Sequence, residues 1–194
     1  MADATLRVTP DQAVDLLAEG VGTFDADEPV DNLVHALQCA ALALGEGADD
    51  ELVVAALFHD VGYHPRLVAR WPGRPHEDVG ARFAETVFGV RVAWLIAQHV
   101  PAKRYLVATD PRYAESLSAA SQRSLARQGG AMTADEVAVF AAHEWASDAA
   151  RLRRWDDLAK VPGAPTPSLD QLWPIVERAA MSSRNGGGLQ QTLQ

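Results

Sequence analysis

Asp49-Asp50-Glu51-Leu52-Val53-Val54-Ala55-Ala56-Leu57-Phe58-His59-Asp60-Val61-Gly62 is the stretch on which the fold turns. Two aspartates open it as a helix start, an apolar run from Leu52 to Phe58 follows, and Gly62 ends it. His59 and Asp60 stand at its C-terminal end.

Working outward, single histidines recur on separate helical segments. His35 sits in a second helix, about Val30 to Leu44, that stops at Gly45 and Gly47. His76 opens a further helix, Val79 to Phe88, and His99 lies in the next, Val90 to about Val100, which Pro101 bends or ends. His99 shares a face with Val92, Leu95 and Ile96, so its ring points inward. Four of the six histidines thus form an ordered series, closed by Asp156-Asp157 on a helix spanning Ala149 to Lys160. Asp156 falls on the face of Ala149, Leu152 and Ala159 and is read as the ligand. Asp157, over Arg153 and Arg154, is read as its support or as a surface group. Neutral imidazole and carboxylate together suit iron, manganese or zinc. His143 lies outside the series and reads as a surface or helix-end residue.

The other periodic segments are helical too: Ala13 to Glu19 behind a Thr9-Pro10 start, Ser116 to Gln128, Ala134 to Ala142, and Ser168 to Ala180. Gly20 to Pro29 and Tyr63 to Pro75 read as loops. The expected architecture is all-α, one helical bundle with a metal site between helices. Residues 1–27 form an N-terminal helix and loop, 28–163 the core, 164–181 a helix packed on it, and 182–194 a disordered tail. At 194 residues with 48% hydrophobic content, one sizeable core is expected.

A net charge of −9 argues against nucleic-acid or anionic-membrane partners. It also repels an anionic substrate at long range, so such a substrate would need local cations. The single cysteine, Cys39, lies in an apolar run and reads as a buried filler. With no disulfide possible and no signal-like start or membrane-length run, a cytoplasmic location is expected.

Several segments together carry a resemblance. Glu28-Pro29-Val30 through His35, Phe58-His59-Asp60-Val61-Gly62, and His99-Val100-Pro101-Ala102-Lys103-Arg104-Tyr105-Leu106 resemble the HD-domain superfamily. So do Leu117-Ser118 through Gln128-Gly129-Gly130-Ala131-Met132, and Asp148 through Gly163. They are most similar to its phosphonate-degrading oxygenases. The resemblance implies two iron ions in a mixed-valent Fe(II)/Fe(III) pair. One would be held by His35, His59, Asp60 and Asp156, the other by His76 and His99, with Asp60 between them. It further implies a 1-hydroxyphosphonate chelated through its hydroxyl and a phosphonate oxygen, dioxygen as co-substrate, and cleavage of the carbon–phosphorus bond.

Lys103 lies four residues after His99 and Arg153 three before Asp156. With Ser121 and Ser124 as hydroxyl donors they are candidates to hold phosphonate oxygens, and Glu28 to hold a substrate ammonium group. Of Arg151, Arg153 and Arg154, two are expected in solvent. Two positions depart from the family pattern: Asp25 stands where the family carries a tyrosine, and Tyr63 where it favours a histidine. Both fall on the substrate side, Tyr63 as a substrate-binding candidate. An HD phosphohydrolase, cleaving a phosphate ester with a metal-activated water, is the alternative enzyme. A metal-stabilised scaffold domain is the non-enzymatic one.

Overall fold

A computed structural model describes residues 8–20 and 29–186; among them every regular element is helical. The first helix, α1 (Pro10–Ala18), is closed by Thr9 and Gln12, each side chain capping the other's backbone N–H. The Asp31 carboxylate accepts from Val34 N at 2.8 Å to start α2 (Asn32–Gly45). Asp49 does the same for α3 (Asp50–Phe58) through Leu52 N at 2.9 Å. Every residue of α3 from Leu52 to Phe58 is buried, as its apolar run demands.

A 3-10 turn, Val61–Tyr63, leads from α3 into a short helix, α4 (Pro65–Arg70). The region read as a loop, Tyr63 to Pro75, therefore contains a helix. Pro65 sets the first helical φ, and the His64 ring accepts from Arg66 N at 3.2 Å.

Behind the turn runs α5 (His76–Thr109), with one break at Gly89, whose φ of 83° suits glycine. The expected end at Pro101 does not occur. Pro101 removes one backbone donor, but Ala102, Lys103 and Leu106 beyond it are buried against neighbours, and this packing carries the helix on.

The helix expected over Ser116 to Gln128 is α7 (Ala119–Arg127), and a short helix that was not expected, α6 (Pro111–Ser116), precedes it. Leu117 is extended, and Ser118 starts α7 by accepting from Ser121 N. Then come α8 (Ala134–Ala141), α9 (Ala146–Leu158) and α10 (Leu169–Gly186). Ser168 caps the last of these by accepting from Gln171 N at 3.2 Å, and the helix extends into the segment read as a disordered tail. Leu172, Val176, Ala179 and Ala180 bury one face of it, and Ser183 reaches Gly89 on α5. Residues 187–194 lie outside the described part.

The core sits where α3, α5, α9 and α10 meet, around Phe58, Phe83, Phe88, Leu95, Ile96, Leu152 and Trp155. Arg91 of α5 ties three elements at the surface: its guanidinium donates to Asp49, Glu51 and Asp148 at 2.8–2.9 Å. His143 lies in the turn between α8 and α9 and is half-buried rather than on the surface, with its ring stacked on Trp94 at 3.8 Å. No helix among the described residues is long and apolar enough to cross a membrane.

Candidate metal centre

Helices α2, α3, α5 and α9 each deliver a ligand-type side chain to one end of the bundle. His35 comes from α2, His59 from the end of α3 and Asp60 from the turn beyond it. His76 and His99 come from the first and second limbs of α5, and Asp156 from α9. His59 and His99 are fully buried, and His35 and Asp156 nearly so.

The donor atoms fall into two clusters. In the first, His35 Nε2 and His59 Nε2 are 3.1 Å apart. Asp156 Oδ1 lies 3.4 Å from His35 and 3.8 Å from His59, and Asp60 Oδ2 lies 3.7 and 3.3 Å from the same atoms. In the second, His76 Nε2 and His99 Nε2 are 3.0 Å apart, and Asp60 Oδ1 lies 3.3 and 3.6 Å from them. Donors bound about 2.1 Å from a shared cation lie about 3.0 Å apart at right angles and about 3.4 Å apart at tetrahedral angles. Both clusters fit that spacing, and the two oxygens of Asp60 divide between them.

The far side of each imidazole fixes its tautomer. Nδ1 of His35 donates to Ala159 O at 2.8 Å, that of His59 to Ala56 O at 2.9 Å, and that of His99 to Ile96 O at 2.6 Å. His76 Nδ1 faces Glu77 Oε2 at 3.0 Å. With Nδ1 engaged in this way, each ring turns its Nε2 inward, and two such nitrogens 3 Å apart repel unless a cation or proton lies between them.

Charge supports the same reading. Burial acts to raise Asp60 and Asp156, but His59 beside the first and Arg153 beside the second hold both well below the usual carboxylate range. His99 is pushed down to about 3 by burial and then by His76 and His59, so it is neutral at pH 7. His76 is driven up to about 9: burial opposes, but Asp60 and Glu77 outweigh it. A divalent cation at its Nε2 displaces that proton, so binding is weaker in acid. Among the described residues, the donor set and its spacing fit two divalent or trivalent ions.

Asp157 has a different task. Its carboxylate accepts from Arg153 Nε at 2.9 Å and Ser121 Oγ at 3.1 Å, while Arg153 Nη1 donates to Asp156 Oδ2 at 2.6 Å. Asp157 thus aims Arg153, and Arg153 aims Asp156. Asp156→Ala should cost far more bound metal than Asp157→Ala, measured as metal per chain after dialysis. Equal losses would contradict this assignment. Of the three neighbouring arginines only Arg153 faces inward. Arg151 lies over Trp155 and Arg154 pairs with Asp110 near the surface.

The clusters open into a cavity of ≈ 250 Å³. Lys103, 2% exposed, donates to Ser124 Oγ at 2.6 Å, and Ser124 donates to Ser121 O at 3.0 Å. All three of these residues, and Arg153, line the cavity. Burial, followed by the charge of Arg153, pulls Lys103 down to about 8. Tyr63 also lines it, with its exposed ring stacked on His76 at 4.0 Å. Glu28 and Asp25 lie outside the described residues. Cys39 is buried as expected, with Sγ 3.8 Å from His35 Nε2.

Sequence reasoning did not find Arg123, Arg127, Gln128 or Lys160, which also line the cavity. Gln128 Oε1 is buried without a hydrogen-bond partner. A helical-face reading of α7 would have found some of them, since Ala120, Arg123, Ser124 and Arg127 follow i, i+3, i+4, i+7 spacing.

The HD domain family model matches residues 32–140, a span that takes in five of the six ligand-type residues and stops before Asp156. A hydroxymethylphosphonate dioxygenase of Gimesia maris is 42% identical over 185 residues, covering 89% of this chain and 90% of that protein. A [1-hydroxy-2-(trimethylamino)ethyl]phosphonate dioxygenase (glycine-betaine-forming) of Leisingera caerulea is 36% identical over 156 residues, 78% of this chain and 80% of that one. On the family match and these two likenesses, the chain belongs to the HD-domain family and, within it, to the phosphonate-degrading oxygenases.

Proposed function

We propose that this chain is a di-iron oxygenase that cleaves the carbon–phosphorus bond of a small 1-hydroxyphosphonate with dioxygen. The observation that carries the reading is Asp60, whose two oxygens serve two imidazole clusters beside a cation-walled cavity. The dioxygenase relatives, each covered over most of its length, support the same reaction class.

Overall, a 1-hydroxyphosphonic acid and dioxygen give a carboxylic acid and phosphoric acid. The C1–H and C–P bonds break, and both dioxygen atoms are retained in the products. When bound, a mixed-valent iron pair supplies Lewis acidity toward the substrate hydroxyl and the electrons that activate dioxygen.

The chain's own residues do the rest. His35, His59, Asp60 and Asp156 would hold one iron, and His76, His99 and Asp60 the other. Lys103 Nζ, already oriented by Ser124, is placed to donate to a phosphonate oxygen. Arg153 is committed to Asp156 and Asp157, so it acts chiefly by charge and by fixing Asp156. The Tyr63 ring shields one face of His76.

Lys103→Ala should leave both metals bound and raise KM by about 10- to 100-fold, the range expected for one charge-assisted hydrogen bond. Lys103 is cationic below its pKa of about 8, so kcat/KM should fall as pH rises through that value. Lys103→Arg should remove this alkaline limb, because arginine stays charged. Unchanged KM in the alanine variant would remove Lys103 from the site.

The di-iron reading is tested by reconstitution with iron under reducing conditions, then partial oxidation. Two irons per chain with a coupled Fe(II)/Fe(III) paramagnetic signal, perturbed by hydroxymethylphosphonate, are expected. A redox-inert metal, or iron without a coupled signal, would shift the reading to phosphate-ester hydrolysis.

A further inference from the structure

Three of the four imidazoles at the centre set Nδ1 against a backbone carbonyl: His35 on Ala159 O, His59 on Ala56 O and His99 on Ile96 O. His76 differs. Its Nδ1 lies 3.0 Å from Glu77 Oε2, and the Glu77 side chain is 20% exposed. Once a cation takes Nε2, either kind of partner keeps the ring proton on Nδ1 and holds the ring's orientation. A carboxylate also brings a full negative charge, which makes the imidazole a stronger donor to the ion on its other nitrogen.

That charge stands where the donor set is short of it. His35 and His59 share their cluster with Asp156 Oδ1 as well as Asp60 Oδ2. Among the described residues, His76 and His99 cluster with a single carboxylate, that of Asp60. Resting on the reading of these clusters as a two-ion centre, we propose that Glu77 is a positioning residue for the second ion. It fixes the His76 ring and supplies through it the negative charge that this donor set lacks. The second ion is thereby held more tightly, and its more highly charged state is favoured. The two halves of the centre are tuned by different means. Asp156 reaches the first cluster directly but is tempered by Arg153 Nη1 at 2.6 Å, whereas Glu77 acts on the second at one remove.

The competing role for Glu77 is structural, since an acid in the first turn of α5 favours the helix through its dipole. Asp78 stands in the same turn and faces Arg74 and Arg82 instead of an imidazole, so it supplies the control. Zinc titration of the metal-free full chain reads both sites without redox chemistry. Glu77→Gln keeps the shape and an oxygen for Nδ1 but removes the charge. It should weaken the second zinc by about 10- to 100-fold and leave the first unchanged, and Glu77→Ala should weaken the second further. Asp78→Asn should lower the melting temperature with both zinc affinities intact. Equal affinities in Glu77→Gln and the parent protein, or the same loss in Asp78→Asn, would overturn the proposal. In the iron-loaded protein, Glu77→Gln should raise the midpoint potential of the pair, by about 59 mV for each tenfold weakening confined to the ferric ion. An unchanged potential would overturn the proposal too, because a structural role alone does not move it. If the parent protein yields no coupled Fe(II)/Fe(III) pair while the zinc titrations behave as stated, Glu77 keeps its role and the oxygenase reading fails. A single zinc in the parent protein would sink the two-ion centre and this proposal with it.

Discussion

Asp60→Ala should strip metal from both halves of the centre and abolish activity while the helical bundle remains folded. Its Oδ2 stands 3.3 Å from His59 Nε2 and its Oδ1 3.3 Å from His76 Nε2, so one side chain completes two donor sets. Without it, the first cluster keeps two imidazoles and Asp156, and the second keeps two imidazoles and no anion. Supporting residues around metal sites already cost 10- to 100-fold in affinity when lost, so a shared ligand should cost at least about 100-fold at each ion. Metal per chain after dialysis, beside circular dichroism, reads this out. Two tightly held metals in the variant would refute the bridging role. Asp60→Asn, which keeps the shape and removes the charge, should retain the first metal better than the second, because Asp156 still supplies an anion only there.

Gly62→Ala should be nearly as damaging without removing any ligand. A Cβ at that position would lie 1.9 Å from the His76 carbonyl oxygen and 2.8 Å from Gly80 N, both backbone atoms. No side chain can swing away, so the turn after Asp60 and the start of α5 must separate. That motion carries His76 away from Asp60. Forced overpacking of buried structure costs about 1–3 kcal/mol or more, and a backbone clash belongs at the upper end. In a chain of this size, 3 kcal/mol corresponds to a fall in Tm of roughly 6–12 °C. The variant should also lose the His76–His99 metal before the other one. A melting temperature and metal content equal to those of the parent protein would show that this contact does not hold the site together.

The parts of the site that were legible in the sequence are those with a local signal. His59-Asp60 closes an apolar helix, His99 shares a face with Val92, Leu95 and Ile96, and Asp156 shares one with Ala149 and Leu152. Helix starts at Thr9, Asp49 and Ser168 were legible because capping is a short-range event. What escaped depends on contacts between distant segments. Pro101 reads as a stop until the burial of Lys103 and Leu106 is known. Pro65 and His64 make a helix of what composition alone marks as loop. Arg123 and Arg127 share a helical face with Ser124, but that this face lines the metal cavity depends on how α7 packs across it. Gly62 reads as a breaker, whereas its place is set by the approach of the His76 backbone.

The most direct measurement of the central claim is dioxygen uptake beside phosphate release by the iron-loaded enzyme given hydroxymethylphosphonate. One phosphate per dioxygen consumed, with both lost under argon, is the predicted result. Phosphate release from a phosphate ester under argon, with no dioxygen consumed on any 1-hydroxyphosphonate, would contradict it.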